Sequence, residues 1–212
     1  MDRPHISKEE MLSRVVRFDD LTKQGDGLPL MFIDSMLPGH YRMNYVIAGD
    51  SASENPDYKP MLTQPHKYSM GMMMTPPGCG PAYHTHEYVE LFIILHGQWR
   101  FYWGNDPDPD KIEGDVTIGP WDVISFPAWL WRGFENAGDD TAWCINLLEE
   151  HDPFTIKDPH WSPQVIEQCE AAGFKADEQG KMIKPANFNQ INRRLQADLS
   201  QRLERFKAQW RR

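Results

Sequence analysis

Cysteine is scarce. Cys79, Cys144 and Cys169 make an odd number at unrelated spacing, which excludes a complete disulfide framework and predicts a reducing, cytoplasmic setting. Long apolar runs are missing. No stretch approaches the roughly 18 apolar residues of a membrane span, and the opening Met-Asp-Arg-Pro-His-Ile-Ser-Lys-Glu-Glu lacks the apolar core of a secretory leader. No membrane partner is expected. No repeat of fixed period is visible. Positive charge is also short: 22 Lys and Arg against 31 Asp and Glu leave a net charge of -9, which argues against bulk affinity for nucleic acid or anionic membranes. Against these absences stand 212 residues with 40% hydrophobic content, enough for one domain with a sizeable core.

Three regions differ in character. Residues 1–67 read as a short N-terminal helix followed by strands and loops that cover something. The helix is expected within 6–23, where Ser7 and Glu10 offer a capping box and Met11, Leu12, Val15, Val16 and Phe18 an apolar stripe. Residues 68–150 are β-rich. Strands are expected at Tyr68–Thr75, Val89–Leu95, Gln98–Trp103, Asp115–Ile118, Val123–Phe126, Trp131–Glu135 and Ala142–Leu148, separated by turn residues. Many short strands without alternating helices predict an all-β sandwich or barrel. Residues 151–212 form a helical extension. Ser162-Pro163 caps a helix that stops at Gly173. From 188 to 212, Ile191, Leu195, Leu199, Leu203, Phe206 and Trp210 recur at helical spacing. The opposite face carries Arg193, Arg194, Arg202, Arg205, Lys207, Arg211 and Arg212. With no helix-turn-helix before it, this helix is expected to dock on the acidic body or on a second copy in a homodimer, not on nucleic acid.

The chemistry concentrates in one stretch. His84 and His86 are two apart and Glu90 follows four later. On β-structure, residues two apart share a face, so His84, His86 and Glu90 can point into one cavity as metal ligands. His96 lies six residues beyond Glu90, about 20 Å along a strand, too far to join them. The stretch resembles the first motif of the cupin superfamily, G-x5-H-x-H-x3-E-x6-G, with Gly78, His84, His86, Glu90 and Gly97 in every position. A second motif, G-x5-P-x-G-x2-H-x3-N, is only partly kept: Pro127 and Asn136 match, but Trp121 and Trp129 replace the glycines and Arg132 the histidine. The resemblance covers about 60 to 80 residues and implies a jelly-roll barrel with the site inside. It names no reaction, because this fold hosts many.

Arg132 changes the expected chemistry. In most metal-binding cupins the residue at that position is the fourth protein ligand. Arginine stays protonated and has no lone pair to give, so three ligands remain, with up to three open positions on the metal. That set resembles the facial triad of non-haem Fe(II) oxygenases. Fe(II) is favoured, and a Mn, Ni or Zn Lewis-acid site also fits. A divalent metal with Glu90 and Arg132 sums to +2, and like charges about 4 Å apart repel by roughly 4 kcal/mol at an effective dielectric near 20. An anionic ligand relieves this. Arg132 is therefore the candidate anchor for a substrate anion, or else an outward arginine paired with Glu135 or Glu149. Tyr102, Trp129 and Phe134 are further candidate substrate contacts in an aromatic-rich pocket. Equally, these rings are barrel core and dimer contacts. The expected function is a metal-dependent dioxygenase acting on a small anionic, possibly aromatic substrate. The alternatives are a non-redox isomerase, lyase or cyclase with the same ligands, or a binding barrel without catalysis.

Overall fold

In a computed structural model, residues 5–23, 31–49, 53–55, 57, 59–149, 158–178 and 181–210 are described. Arg211 and Arg212 of the expected basic face, and parts of the regions 1–67 and 151–212, lie outside them. Among the described residues, ten strands make two five-stranded sheets, with all named neighbours antiparallel. The first sheet orders β1 (Met43–Ala48), β2 (Tyr68–Thr75), β9 (Ala142–Glu149), β4 (Glu90–His96) and β7 (Val123–Phe126). The second orders β10 (His160–Trp161), β3 (His84–Thr85), β8 (Trp131–Asn136), β5 (Trp99–Gly104) and β6 (Gly114–Ile118). This is the all-β, jelly-roll barrel expected from the sequence. Each predicted strand is present to within one residue at each end, because alternating burial and turn residues bracket them tightly.

Alternation also places the core. On β4, Phe92 and Ile94 point inward, and on β5, Trp99 and Phe101 do the same; with Phe126, Phe134, Met73 and Cys144 they fill the space between the sheets. Most of the aromatic excess is therefore core packing, with Phe92, Phe101 and Phe134 in mutual ring contact. The two tryptophans that replace motif glycines behave differently. Trp121 and Trp129 have φ of 75° and 65°, the left-handed region that glycine enters without steric cost. The backbone turn of the motif survives while its residue type does not. Gly97 of the first motif has φ of 82°, and a Cβ there would come within 2.6 Å of the Ala142 Cβ.

Outside the barrel, the predicted N-terminal helix is two short ones, α1 (Lys8–Leu12) and α2 (Phe18–Leu21). Met11, Leu12 and Val15 are exposed, so no buried stripe holds a continuous helix, and β-branched Val15 and Val16 favour the break. The Ser7 cap is real: its Oγ accepts from the Glu10 N–H at 3.0 Å. A further short helix, α3 (Ile33–Met36), precedes β1. Helix α4 (Pro163–Ala171) starts where Ser162 accepts from the Val165 N–H at 3.3 Å. Ser162→Ala should lower stability by about 1 kcal/mol, read by urea denaturation. The long α5 (Phe188–Trp210) lays Leu199 and Leu203 on the outer face of the first sheet, against Tyr45, Met74 and Trp143. The middle of its apolar stripe is thus covered by this chain's own barrel, while Trp210 at its end stays exposed.

One buried carboxylate ties these appendages together. Glu54 accepts from the Phe32 N–H, the Trp161 Nε1–H and the Met182 N–H at 3.4, 3.2 and 3.0 Å. Burial pushes its pKa from 4.5 up to about 7, against the pull of those donors. The folded state thus binds a proton more readily than the unfolded chain between pH 4.5 and about 7. Stability from this group is greatest on the acid side and falls as pH rises through that window, by about 3 kcal/mol in all. Glu54→Gln should remove the fall and stabilise the protein at pH 8 by about 2 kcal/mol, allowing for the one donor its amide cannot accept. Denaturation of both proteins at pH 5 and pH 8 measures it.

Candidate metal centre

The three expected ligands do converge, but not along one strand. His84 lies on β3 of the second sheet, His86 just beyond its end, and Glu90 opens β4 of the first. The chain crosses from one sheet to the other through Glu87–Val89, so the centre spans the interior between the sheets. All three side chains are buried, and their ligand atoms lie within 4.8 Å of one another.

Each imidazole is fixed from behind. His84 Nδ1 is 2.6 Å from the Ala82 carbonyl oxygen. A carbonyl only accepts, so Nδ1 carries the hydrogen and the Nε2 lone pair is left for a metal. His86 Nδ1 is 2.5 Å from Asp158 Oδ1, which sets the same tautomer through a carboxylate. Tyr88 donates its hydroxyl to the other Asp158 oxygen and stacks on His86 with centroids 4.9 Å apart. Burial, then the Asp158 charge, push the Tyr88 phenol far up, so it stays a donor. Trp161 meets the His84 ring edge-on at 5.7 Å. Burial holds His84 well below the usual histidine pKa, with the neighbouring His86 and Arg132 adding to the effect. His84 is therefore neutral, as a ligand must be.

Arg132 is fully buried and is not paired with Glu135 or Glu149. It sits beside His84 across the β3–β8 ladder and reaches over to the opposite sheet. Its Nε and Nη2 donate to Glu90 Oε2 at 3.2 and 2.8 Å, and Nη1 donates to the Leu130 carbonyl at 3.2 Å. Arginine at this position thus supplies a cation that holds the Glu90 carboxylate in place. A carboxylate has about four lone-pair sites, so Glu90 can serve Arg132 and a metal together. Two imidazoles held through Nδ1, with Nε2 left for a metal, and one carboxylate fit a single divalent ion with three protein ligands.

The other predicted contacts separate. Phe134 lines the cavity beside His84, His86 and Glu90. Tyr102 does not; it stacks on Tyr83 at 6.1 Å and covers Gly133. Trp129 also stands away from the lining, 56% exposed and packed on His160. Trp121 is 77% exposed, so neither motif tryptophan narrows the cavity. Their left-handed turns point the rings outward. The remaining lining is Met31, Arg42, Asn44, Met73, Pro81, Asn146, Leu148, Pro159 and Trp161 around about 40 Å³.

Residues 71–147 match the family model described as Cupin domain. The chain carries a cupin domain. The match spans β2 to β9 and includes all three ligands and Arg132, while Arg42, Asp158 and Trp161 come from outside the cupin segment. No curated protein matches the chain. Among solved structures, a putative sugar phosphate isomerase from Acidithiobacillus ferrooxidans is 19% identical, with 67% of this chain and 78% of that one covered at a TM-score of 0.49. A Lactobacillus farciminis oxalate decarboxylase is 14% identical over 51% of this chain and 29% of that one, TM-score 0.40. A DMSP lyase from Ruegeria pomeroyi is 16% identical over 51% and 46%, TM-score 0.37. Similarity at this level transfers no reaction to this cupin. No helix among the described residues is long and apolar enough to cross a membrane.

Proposed function

We propose that this cupin is a divalent-metal-dependent enzyme acting on a small anionic molecule, with His84, His86 and Glu90 as ligands and Fe(II)-dependent dioxygenation as its reaction. The observation that carries the reading is the double commitment of Nδ1, on His84 to a carbonyl and on His86 to Asp158. A buried histidine packed only for stability has no need to present its second nitrogen to a neighbouring histidine and a carboxylate. Bound Fe(II) would supply dioxygen activation at the positions the protein leaves open. The chain's own part is orientation and exclusion. Asp158 aligns His86, Arg132 restrains Glu90, and Met73, Phe134 and Leu148 keep bulk water out.

Size narrows the substrate. About 40 Å³ holds roughly three water-sized groups, whereas benzene occupies a cavity of about 150 Å³. The anionic end fits this reading and an aromatic ring does not. The same small volume favours a second reading, a non-redox lyase, isomerase or cyclase using Zn, Mn or Ni as Lewis acid, because substrate and dioxygen together crowd the space. Oxygen uptake by Fe(II)-reconstituted protein with a panel of small carboxylates tests the first reading. Uptake with any of them supports it. Turnover under argon with Zn(II) or Mn(II), without oxygen uptake, replaces it by the second. Absence of stoichiometric metal leaves only a binding barrel. A homodimer in a cytoplasmic setting belongs to the same proposal, and light scattering in solution checks the assembly.

A further inference from the structure

We propose that Arg42, not Arg132, is the anion anchor of this cavity and sets its preference for a small carboxylate or enolate. The inference rests on the cavity being a substrate site, and it holds for any of the metals named above. Arg42 lies just before β1, outside the cupin segment, and lines the cavity with His84, His86, Glu90 and Asn44. It is 6% exposed. Its Nη1 donates to the His40 carbonyl at 3.1 Å and lies 2.8 Å from Asp34 Oδ1. Its Nε has no hydrogen-bond partner among the described residues.

That orphan decides between the two arginines. Arg132 spends Nε and Nη2 on Glu90 and Nη1 on Leu130, and it is not among the lining residues. Arg42 is held by Asp34 and His40 on one edge and keeps a buried, charged N–H unused. A buried donor left unpaired is costly, and in a cavity the natural partner is a ligand oxygen. Asp34 offsets part of the Arg42 charge, as Glu90 offsets Arg132, and buried Asp158 behind His86 adds one more negative charge, so a bound divalent metal still leaves the interior at about +1, counted from unit charges. An anion on Arg42 Nε would pair the orphan and lower this excess at once. Asn44 steadies the arrangement, donating to Asp34 Oδ2 at 3.4 Å, and the guanidinium is pre-oriented for a carboxylate oxygen. Arg42 is placed by the N-terminal segment, so selectivity would be tuned apart from the metal ligands.

Formate, small enough for the cavity, is the probe. It is titrated at constant ionic strength into metal-free protein, followed by melting temperature and by the arginine Nε–H resonances. Formate should raise the wild-type melting temperature and shift one slowly exchanging Nε–H resonance. Arg42→Lys should weaken formate about ten-fold or more while Mn(II) binding, read by calorimetry, is unchanged. The double variant Asp34→Asn/Arg42→Gln removes both buried charges together, and it should bind no formate. Equal protection of the double variant and the wild type would overturn the inference. So would unmoved Nε–H resonances in the wild type at saturating formate, a readout that needs no variant to fold. Formate bound through Arg42 in a protein that takes no metal would leave the anion site standing and remove the metal-enzyme reading. Metal bound without formate would do the reverse.

Discussion

Arg132→Met is expected to destabilise the metal-free protein by about 3–5 kcal/mol, and the metal-loaded protein by clearly less. The cause is the carboxylate left behind. Glu90 is 4% exposed, and both of its cross-sheet hydrogen bonds come from Arg132. Removing the cation strands a buried charge, and methionine fills the volume without answering it. A bound divalent metal answers it, so metal should rescue the variant more than it stabilises the wild type. Removing both partners in Arg132→Met/Glu90→Leu should restore much of the stability, since a buried ion pair is often no better than its apolar isostere, while abolishing metal binding. Thermal melts of the three proteins with and without chelator check this. Equal destabilisation with and without metal would mean that Glu90 does not face the ion.

Asp158→Ala is expected to weaken metal binding by about 10–100-fold with the barrel intact. Asp158 is outside the proposed ligand set. It accepts from His86 Nδ1–H at 2.5 Å, and without it the imidazole can turn or take the other tautomer. Tyr88, which also donates to Asp158, loses that hydrogen bond, so part of the loss comes from the stacked Tyr88–His86 pair. Asp158→Asn keeps a carbonyl oxygen for Nδ1–H and should retain most of the affinity. Calorimetry with Zn(II) on the three proteins measures the order wild type, Asn, Ala. An alanine variant with unchanged affinity would show that the fold alone holds His86.

The parts of this account legible in the sequence share a local cause. Strands such as Tyr68–Thr75 and Val123–Phe126 were marked by alternation and bounded by turn residues, and the His84–His86–Glu90 spacing sits within seven positions. Arg132 was visible as a departure from a motif, but its partner was not. The choice between substrate anion and Glu90 depends on which sheet faces it, and that is a tertiary fact. Asp158 stands 72 residues from His86 in a segment with no pattern of its own, and Arg42 precedes an ordinary strand. Each acts through a pairing that periodicity cannot report. Trp129, a candidate substrate contact, misled for a related reason. Its backbone φ, at a position where the motif has glycine, turns the ring outward. Glu54, buried and linking α3, β10 and the C-terminal segment, had no sequence signal at all.

The most direct test is elemental analysis of wild type and His84→Ala, purified without a metal-affinity tag and reconstituted with Fe(II) under anaerobic conditions. A three-ligand centre predicts one divalent ion per chain in the wild type and little or none in His84→Ala. Wild-type protein without stoichiometric metal after reconstitution, or equal metal in the two proteins, would contradict the assignment of His84, His86 and Glu90 as its ligands.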